Sequence, residues 1–82
     1  MPTNTHELND LFLISYLFLR DFKPIARRND EQRAIFTFEL SPELREEIEN
    51  YYSQKTSVDA LSLFEKYRVV FLMAKQTRAE VR

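Results

Sequence analysis

The amino-acid sequence predicts a small α+β domain: three helices and a two-stranded antiparallel hairpin in the order α-β-β-α-α. Three observations lead there. An apolar run, Leu11–Leu19, is interrupted only by Ser15. A stretch of period-two alternation, Ala34 to Leu40, follows it. Two segments with helix-start signals, Ser41-Pro42-Glu43 and Val58-Asp59, come after that.

The chain has 82 residues, which is room for a single domain spanning 1–82. Residues 1–6 are polar and read as a frayed start. Asn4, with Glu7 three residues later, has capping-box spacing, so the first helix is expected to begin around Thr5–Glu7. Leu8, Leu11, Phe12, Ser15, Leu19 and Phe22 share one helical face. Pro24 lacks an amide hydrogen and pushes Lys23 towards extended geometry, which ends the helix near Asp21.

The hairpin arms are expected at Phe22–Arg28 and Arg33–Leu40, joined by the polar turn Asn29-Asp30-Glu31-Gln32. In the second arm Ala34, Phe36, Phe38 and Leu40 alternate with Ile35, Thr37 and Glu39. In the first arm Ile25 alternates with Arg27, and the pattern leaves the inward face undefined. Ser41 then caps the second helix, Pro42 takes its first position, and Glu43 lies near its positive end. Leu44, Ile48, Tyr51 and Tyr52 line its inner face, while Glu43, Glu46, Glu47 and Glu49 face water. Ser53–Ser57 is a polar connection. Asp59 caps the third helix, and Val58 and Leu63 have hydrophobic-staple spacing. Ala60, Phe64, Tyr67, Phe71 and Ala74 form its expected inward stripe, flanked by Leu63 and Val70. Extended to Glu80 this helix is about 30 Å long, more than so small a core requires.

Composition excludes much chemistry. There is no cysteine, so disulfides and thiol nucleophiles are absent and a reducing compartment fits. His6 is the only histidine, which leaves no nitrogen or sulfur set for zinc. With no glycine, a phosphate-cradling loop of the P-loop or Rossmann type has no backbone to build it. A Ser-His-acid triad would need His6, in the frayed start. The acidic helix offers oxygen ligands for a hard cation, but its glutamates recur at solvent-face spacing. No catalytic residue, metal site, cofactor or small-molecule substrate is therefore expected. Residues 1–10 carry no basic leader, and Leu11–Leu19 falls well short of the roughly 20 residues that span a bilayer. The expectation is a cytoplasmic protein without membrane contact.

Four pieces in order, together covering residues 8–75, carry a resemblance. They are the apolar first helix ending in Leu19-Arg20-Asp21-Phe22, the strand Ile35-Phe36-Thr37-Phe38, the segment Ser41-Pro42-Glu43-Leu44-Arg45-Glu46, and Val58-Asp59 followed by Phe64. In that order they resemble a family of short bacterial and phage proteins classed as a domain of unknown function. The present chain departs in having no Gly before Phe22 or in the hairpin turn. The resemblance implies a compact domain associated with bacteria and mobile elements; it supplies no catalytic residue and no ligand.

What remains is contact surface. Leu13, Ile14 and Leu17 point away from the first helix's expected inner face, as Val69 and Met73 do on the third. Either the two helices cover each other's backs, or these residues form a protein interface and the chain self-associates. The hairpin edges offer strand addition across a two-fold axis or to a partner, unless Pro24 and the charged flanks protect them. The rival expectation is nucleic-acid binding by Arg20, Lys23, Arg27, Arg28 and Arg33, joined by Lys75, Arg78 and Arg82 on the last helix. A net charge of −1 favours protein contact over a polyelectrolyte partner.

Overall fold

The structure, a computed structural model, describes residues 4–54 and 57–79. Its elements are β1 (Thr5–Leu8), α1 (Leu11–Leu19), β2 (Ala26–Asp30), β3 (Arg33–Glu39), α2 (Pro42–Ser53) and α3 (Ala60–Ala79). The class is α+β as expected, with three helices. The sheet, however, has three antiparallel strands in the order β1-β3-β2, and the chain order begins with a strand.

The added strand corrects the reading of the first residues. Thr5 to Leu8 pair with Glu39 to Phe36, and Leu40 donates its amide to the Asn4 carbonyl at 2.9 Å. Thr5 and His6 thus belong to a paired strand, not to the start of a helix; Met1–Thr3 lie outside the described residues. The apparent capping box of Asn4 and Glu7 is not used. Asp10 caps α1 instead, accepting from the amides of Phe12 at 3.0 Å and Leu13 at 3.4 Å. Two hydrogen-bonded neighbours make β3 the central strand, and its alternating pattern was accordingly the most legible.

Helix α1 ends near Asp21 by a device more specific than Pro24. Asp21 adopts φ 70°, its amide bonds the Phe18 carbonyl at 3.0 Å, and the Phe22 amide bonds that of Leu17 at 2.9 Å. This is a Schellman motif with Phe22 as its apolar follower, packed against the core. The hairpin turn is tighter than expected, since Asn29 and Asp30 belong to β2. Glu31 (φ 50°) and Gln32 (φ 71°) alone form the loop, the double left-handed geometry of a type I′ turn. Asn29 Oδ1 steadies it by accepting from the Gln32 amide at 3.0 Å.

Ser41 caps α2 by accepting from the Leu44 amide at 3.0 Å, with Pro42 in the first turn. Asp59 caps α3 through the Ser62 amide at 2.9 Å. Glu80 and Arg82 lie outside the described residues, as do Lys55 and Thr56 of the polar connection.

All three helices cover one face of the sheet. The core joins Leu13, Ile14, Tyr16 and Leu17 of α1 with Ala34, Phe36 and Phe38 of β3, Leu44 of α2, and Val70 and Ala74 of α3. Overall extents of 40 × 37 × 18 Å are those of a two-layer slab. Helix α1 is packed between α2 and α3, and α3 also rests on β2 and β3. Ser15 and Thr77 are buried within the helices, and each hydroxyl donates to a carbonyl one turn back, Leu11 at 2.6 Å and Met73 at 2.8 Å. Among the described residues no buried side-chain nitrogen or oxygen lacks a partner.

Because β1 covers one edge of β3, removing residues 1–8 should expose an unpaired strand carrying Phe36 and Phe38. The truncated chain is expected to melt at a markedly lower temperature and to aggregate on heating. Melting curves and turbidity that match the full chain would show that β1 contributes nothing.

Candidate functional site

The helix register of α3 decides which side chains reach a partner. Val70 and Ala74 are fully buried and Thr77 is 4% exposed, so the inward stripe runs through small and β-branched residues. Leu63 and Met73 pack at its edges. Of the expected inward stripe Ala74 is buried and Tyr67 half-buried, whereas Phe64 (57% exposed), Phe71 (40%) and Ala60 turn outward. Leu61 and Leu72 lie in solvent on the same side. Tyr52 of α2 likewise faces water rather than the core.

Helix α1 shows the complementary displacement. Leu13, Ile14 and Leu17 are completely buried in the core of the chain itself. A docking surface made from them is not presented by this fold; the two helices cover each other's backs. Val69 is exposed and Met73 half-buried, so of the five expected interface residues only Val69 is fully on the surface. Phe12, assigned to the inner face of α1, is 55% exposed. Its ring stacks on Tyr67 at 4.6 Å between centroids, and Tyr67 stacks on Phe71 at 6.2 Å. The result is an aromatic row across the α1–α3 seam, continued by Phe64, Leu61 and Leu72. Phe64, Tyr67, Arg68, Phe71 and Leu72 line a shallow apolar groove of about 320 Å³.

The five-residue basic set is split between two faces, because neighbouring strand residues point to opposite sides of a sheet. Arg27 lies on the helix-covered face, where its guanidinium donates to the Met73 carbonyl at 3.1 Å. Arg28 lies on the open face and reaches across β3 to Glu7, with Nη2–Oε1 at 2.7 Å and Nε–Oε2 at 3.4 Å; Asp30 adds a contact at 3.7 Å. Arg33 is exposed at the start of β3. Arg20 closes α1: its Nε donates to the Tyr16 hydroxyl at 3.3 Å and lies 3.7 Å from Glu47 Oε1, while Tyr16 donates to that same oxygen at 2.5 Å. The hydrogen bond to Tyr16 raises the pKa of Arg20 further. Glu47 is therefore turned inward, unlike Glu43, Glu46 and Glu49, which are exposed. Beside this cluster, burial pushes the Tyr51 phenol above its ordinary value, and the nearby charge of Asp10 adds to the shift.

Lys23 and Arg27 border one cavity together with Lys66 of α3. Its volume is about 590 Å³, and Asp21 and the apolar walls of Phe18, Phe22, Pro24, Ile25 and Met73 complete the lining. On the far side of the slab His6 borders a groove of about 680 Å³ with Ile48, Glu49, Tyr52 and Ser53. The Ser53 hydroxyl is directed to the Asn50 carbonyl at 3.4 Å, not to His6. Among the described residues no cluster of three histidine or carboxylate side chains is placed to hold a metal ion, and no helix is long and apolar enough to cross a membrane.

The fold and these surfaces define a small two-layer α+β domain whose most distinctive exposed feature is an apolar helix face. The chain belongs to the family described as Domain of unknown function (DUF5659), whose model matches residues 3–70. The match includes β1, α1, the hairpin, α2 and α3 up to Val70. No curated protein and no solved structure matches the chain.

Among the described residues two carboxylates are held below their ordinary values: Glu7 by the hydrogen bond from Arg28, and Asp59 by the Ser62 amide and then its hydroxyl. The unfolded chain therefore takes up these protons first as pH falls. Their stabilisation is complete at neutral pH and is lost as pH drops below about 4 towards the folded values. Replacing Arg28 by Met removes the share of Glu7, so the melting temperature of the variant should fall less steeply between pH 5 and 3, each an approximate bound. Parallel melting profiles for the two proteins would refute the assignment.

Proposed function

We propose that this chain is a non-enzymatic accessory protein that works by protein–protein contact. It self-associates through the outer face of α3 and Phe12, in the bacterial or mobile-element cytoplasm that its family resemblance suggests. One observation carries the reading. Leu61 (66% exposed), Phe64, Leu72 and Phe12 lie together in solvent on one side of the molecule. Large contiguous apolar patches are uncommon on monomers, and aromatic residues are enriched where proteins meet. A short chain also has a thin stability margin, which burial of this face in an assembly would widen.

Light scattering across a concentration series tests the proposal. The wild-type mass should rise above that of the 9.9 kDa monomer, and Phe64→Ser with Phe71→Ser should restore the monomer with unchanged helical circular dichroism. A wild-type protein that stays monomeric at high micromolar concentration, with no partner recovered, would sink the reading.

A second reading rests on the Lys23–Arg27–Lys66 cavity beside Phe22: contact with nucleic-acid phosphates. It requires salt-sensitive binding of a single-stranded oligonucleotide that weakens in Arg27→Ala and not in Arg28→Ala, whose side chain is on the opposite sheet face. Equal effects of the two substitutions, or none, would remove it.

A further inference from the structure

The outer face of α3 has a symmetry that specifies its occupant. Leu61, Glu65, Arg68 and Leu72 recur at intervals of four, three and four, so at about 100° per residue they form one stripe. That stripe points directly away from Val70, Ala74 and Thr77, and all four of its residues are exposed. Read in the reverse direction it becomes Leu-Arg-Glu-Leu: apolar ends are conserved and the two central charges change places. Among the described residues neither Glu65 nor Arg68 takes part in an ion pair; those present join Arg20 to Glu47 and Arg28 to Glu7 and Asp30.

We propose that α3 packs antiparallel against α3 of a second copy, about a two-fold axis passing between Lys66 and Tyr67. This rests on the reading of that face as a self-association surface and adds its geometry. One axis position satisfies every pair. It sets Leu61 opposite Leu72 of the second copy, and Glu65 opposite the second copy's Arg68, with each pair made twice. A two-fold interface must be self-complementary in this way. The rotation keeps like flanks together, so Phe64 of one copy meets Phe71 of the other on the side where Phe12 and Tyr67 are stacked. A parallel arrangement would instead set Glu65 against Glu65 and Arg68 against Arg68.

Charge exchange in the full-length chain tests the axis. By sedimentation equilibrium at low salt, Glu65→Arg alone and Arg68→Glu alone should each weaken the dimer about tenfold or more, through like charges held face to face. An equimolar mixture of the two variants should recover heterodimer, because each restores the other's pairs, and the double exchange E65R/R68E should recover the homodimer. The cysteine-free sequence allows an independent check. Under a short bis-maleimide reagent, L61C mixed with L72C should cross-link well above either variant alone. Both positions are more than half exposed, so neither substitution disturbs the core.

A dimer that Phe64→Ser with Phe71→Ser abolishes, yet which shows neither charge rescue nor Leu61-to-Leu72 cross-linking, would overturn the antiparallel register and leave the contact surface standing. A wild-type chain that never dimerises would remove both.

Discussion

The complete enclosure of α1 sets the conditions for everything around it. Leu13 through Leu17 are five consecutive residues with at most 1% exposure, so this helix is apolar or internally satisfied on every side over more than one turn. A helix of that kind must be covered all round. The sheet supplies one wall through Phe36 and Phe38, α2 another through Leu44, and α3 the third through Val70 and Ala74. Because α3 must also rest on β2 and β3, its inner stripe is built from small side chains that permit close approach. Phe64, Phe71 and Leu72 then turn outward, while Leu63 and Met73 pack at the edges of the stripe. The exposed aromatic row is thus a geometric consequence of burying α1, and it lies where a second molecule can reach it.

The same constraint explains which parts of the fold were legible in the sequence. Local grammar was sufficient for α2 and α3, whose starts follow directly from Ser41-Pro42 and Asp59, and for β3, whose alternation is that of a strand with one face inward. Strand β1 was not legible. Thr-His-Glu-Leu carries a single large apolar residue and a competing capping pattern, and it becomes a strand only because β3 offers a hydrogen-bonding edge. The registers of α1 and α3 were legible only in part for a related reason: Ser15, Val70 and Ala74 are buried as expected, whereas Phe12, Phe64 and Phe71 turn outward. Both helices carry apolar residues around most of their circumference, so periodicity alone has no preferred direction. The informative signal was the run of small residues Val70, Ala74 and Thr77 at intervals of four and three, the side that another backbone can approach. In the basic segment, Arg27 and Arg28 look like one patch in sequence, yet the pleat sends them to opposite faces.

Absence of glycine shapes the backbone as well as the chemistry. Asp21, Glu31, Gln32 and Gln54 all take positive φ without it, at a cost of roughly 1 kcal/mol or more each for a residue with a Cβ. The left-handed residue after α1 is held by the Schellman pair of hydrogen bonds, and the hairpin loop by the Asn29 side chain. On the open sheet face Arg28 makes two hydrogen bonds to Glu7 and so links β2 to β1 across β3. Ile35, opposite Arg28 in the ladder, is only 8% exposed on that face, consistent with cover from long charged side chains whose heads remain in water.

These features bear differently on function. On the open face of the sheet Arg28 is already paired with two carboxylates, Glu7 and Asp30. The outer side of α3 is the reverse case: apolar ends, two central charges of opposite sign without ion pairs among the described residues, and an aromatic flank buttressed from below by the Phe12–Tyr67 stack. Rings stacked in the free protein lose less conformational freedom on docking than mobile ones, which lowers the entropic cost of association. In the proposed dimer this exposed apolar area would be buried by association, and folding and assembly would then be linked by concentration.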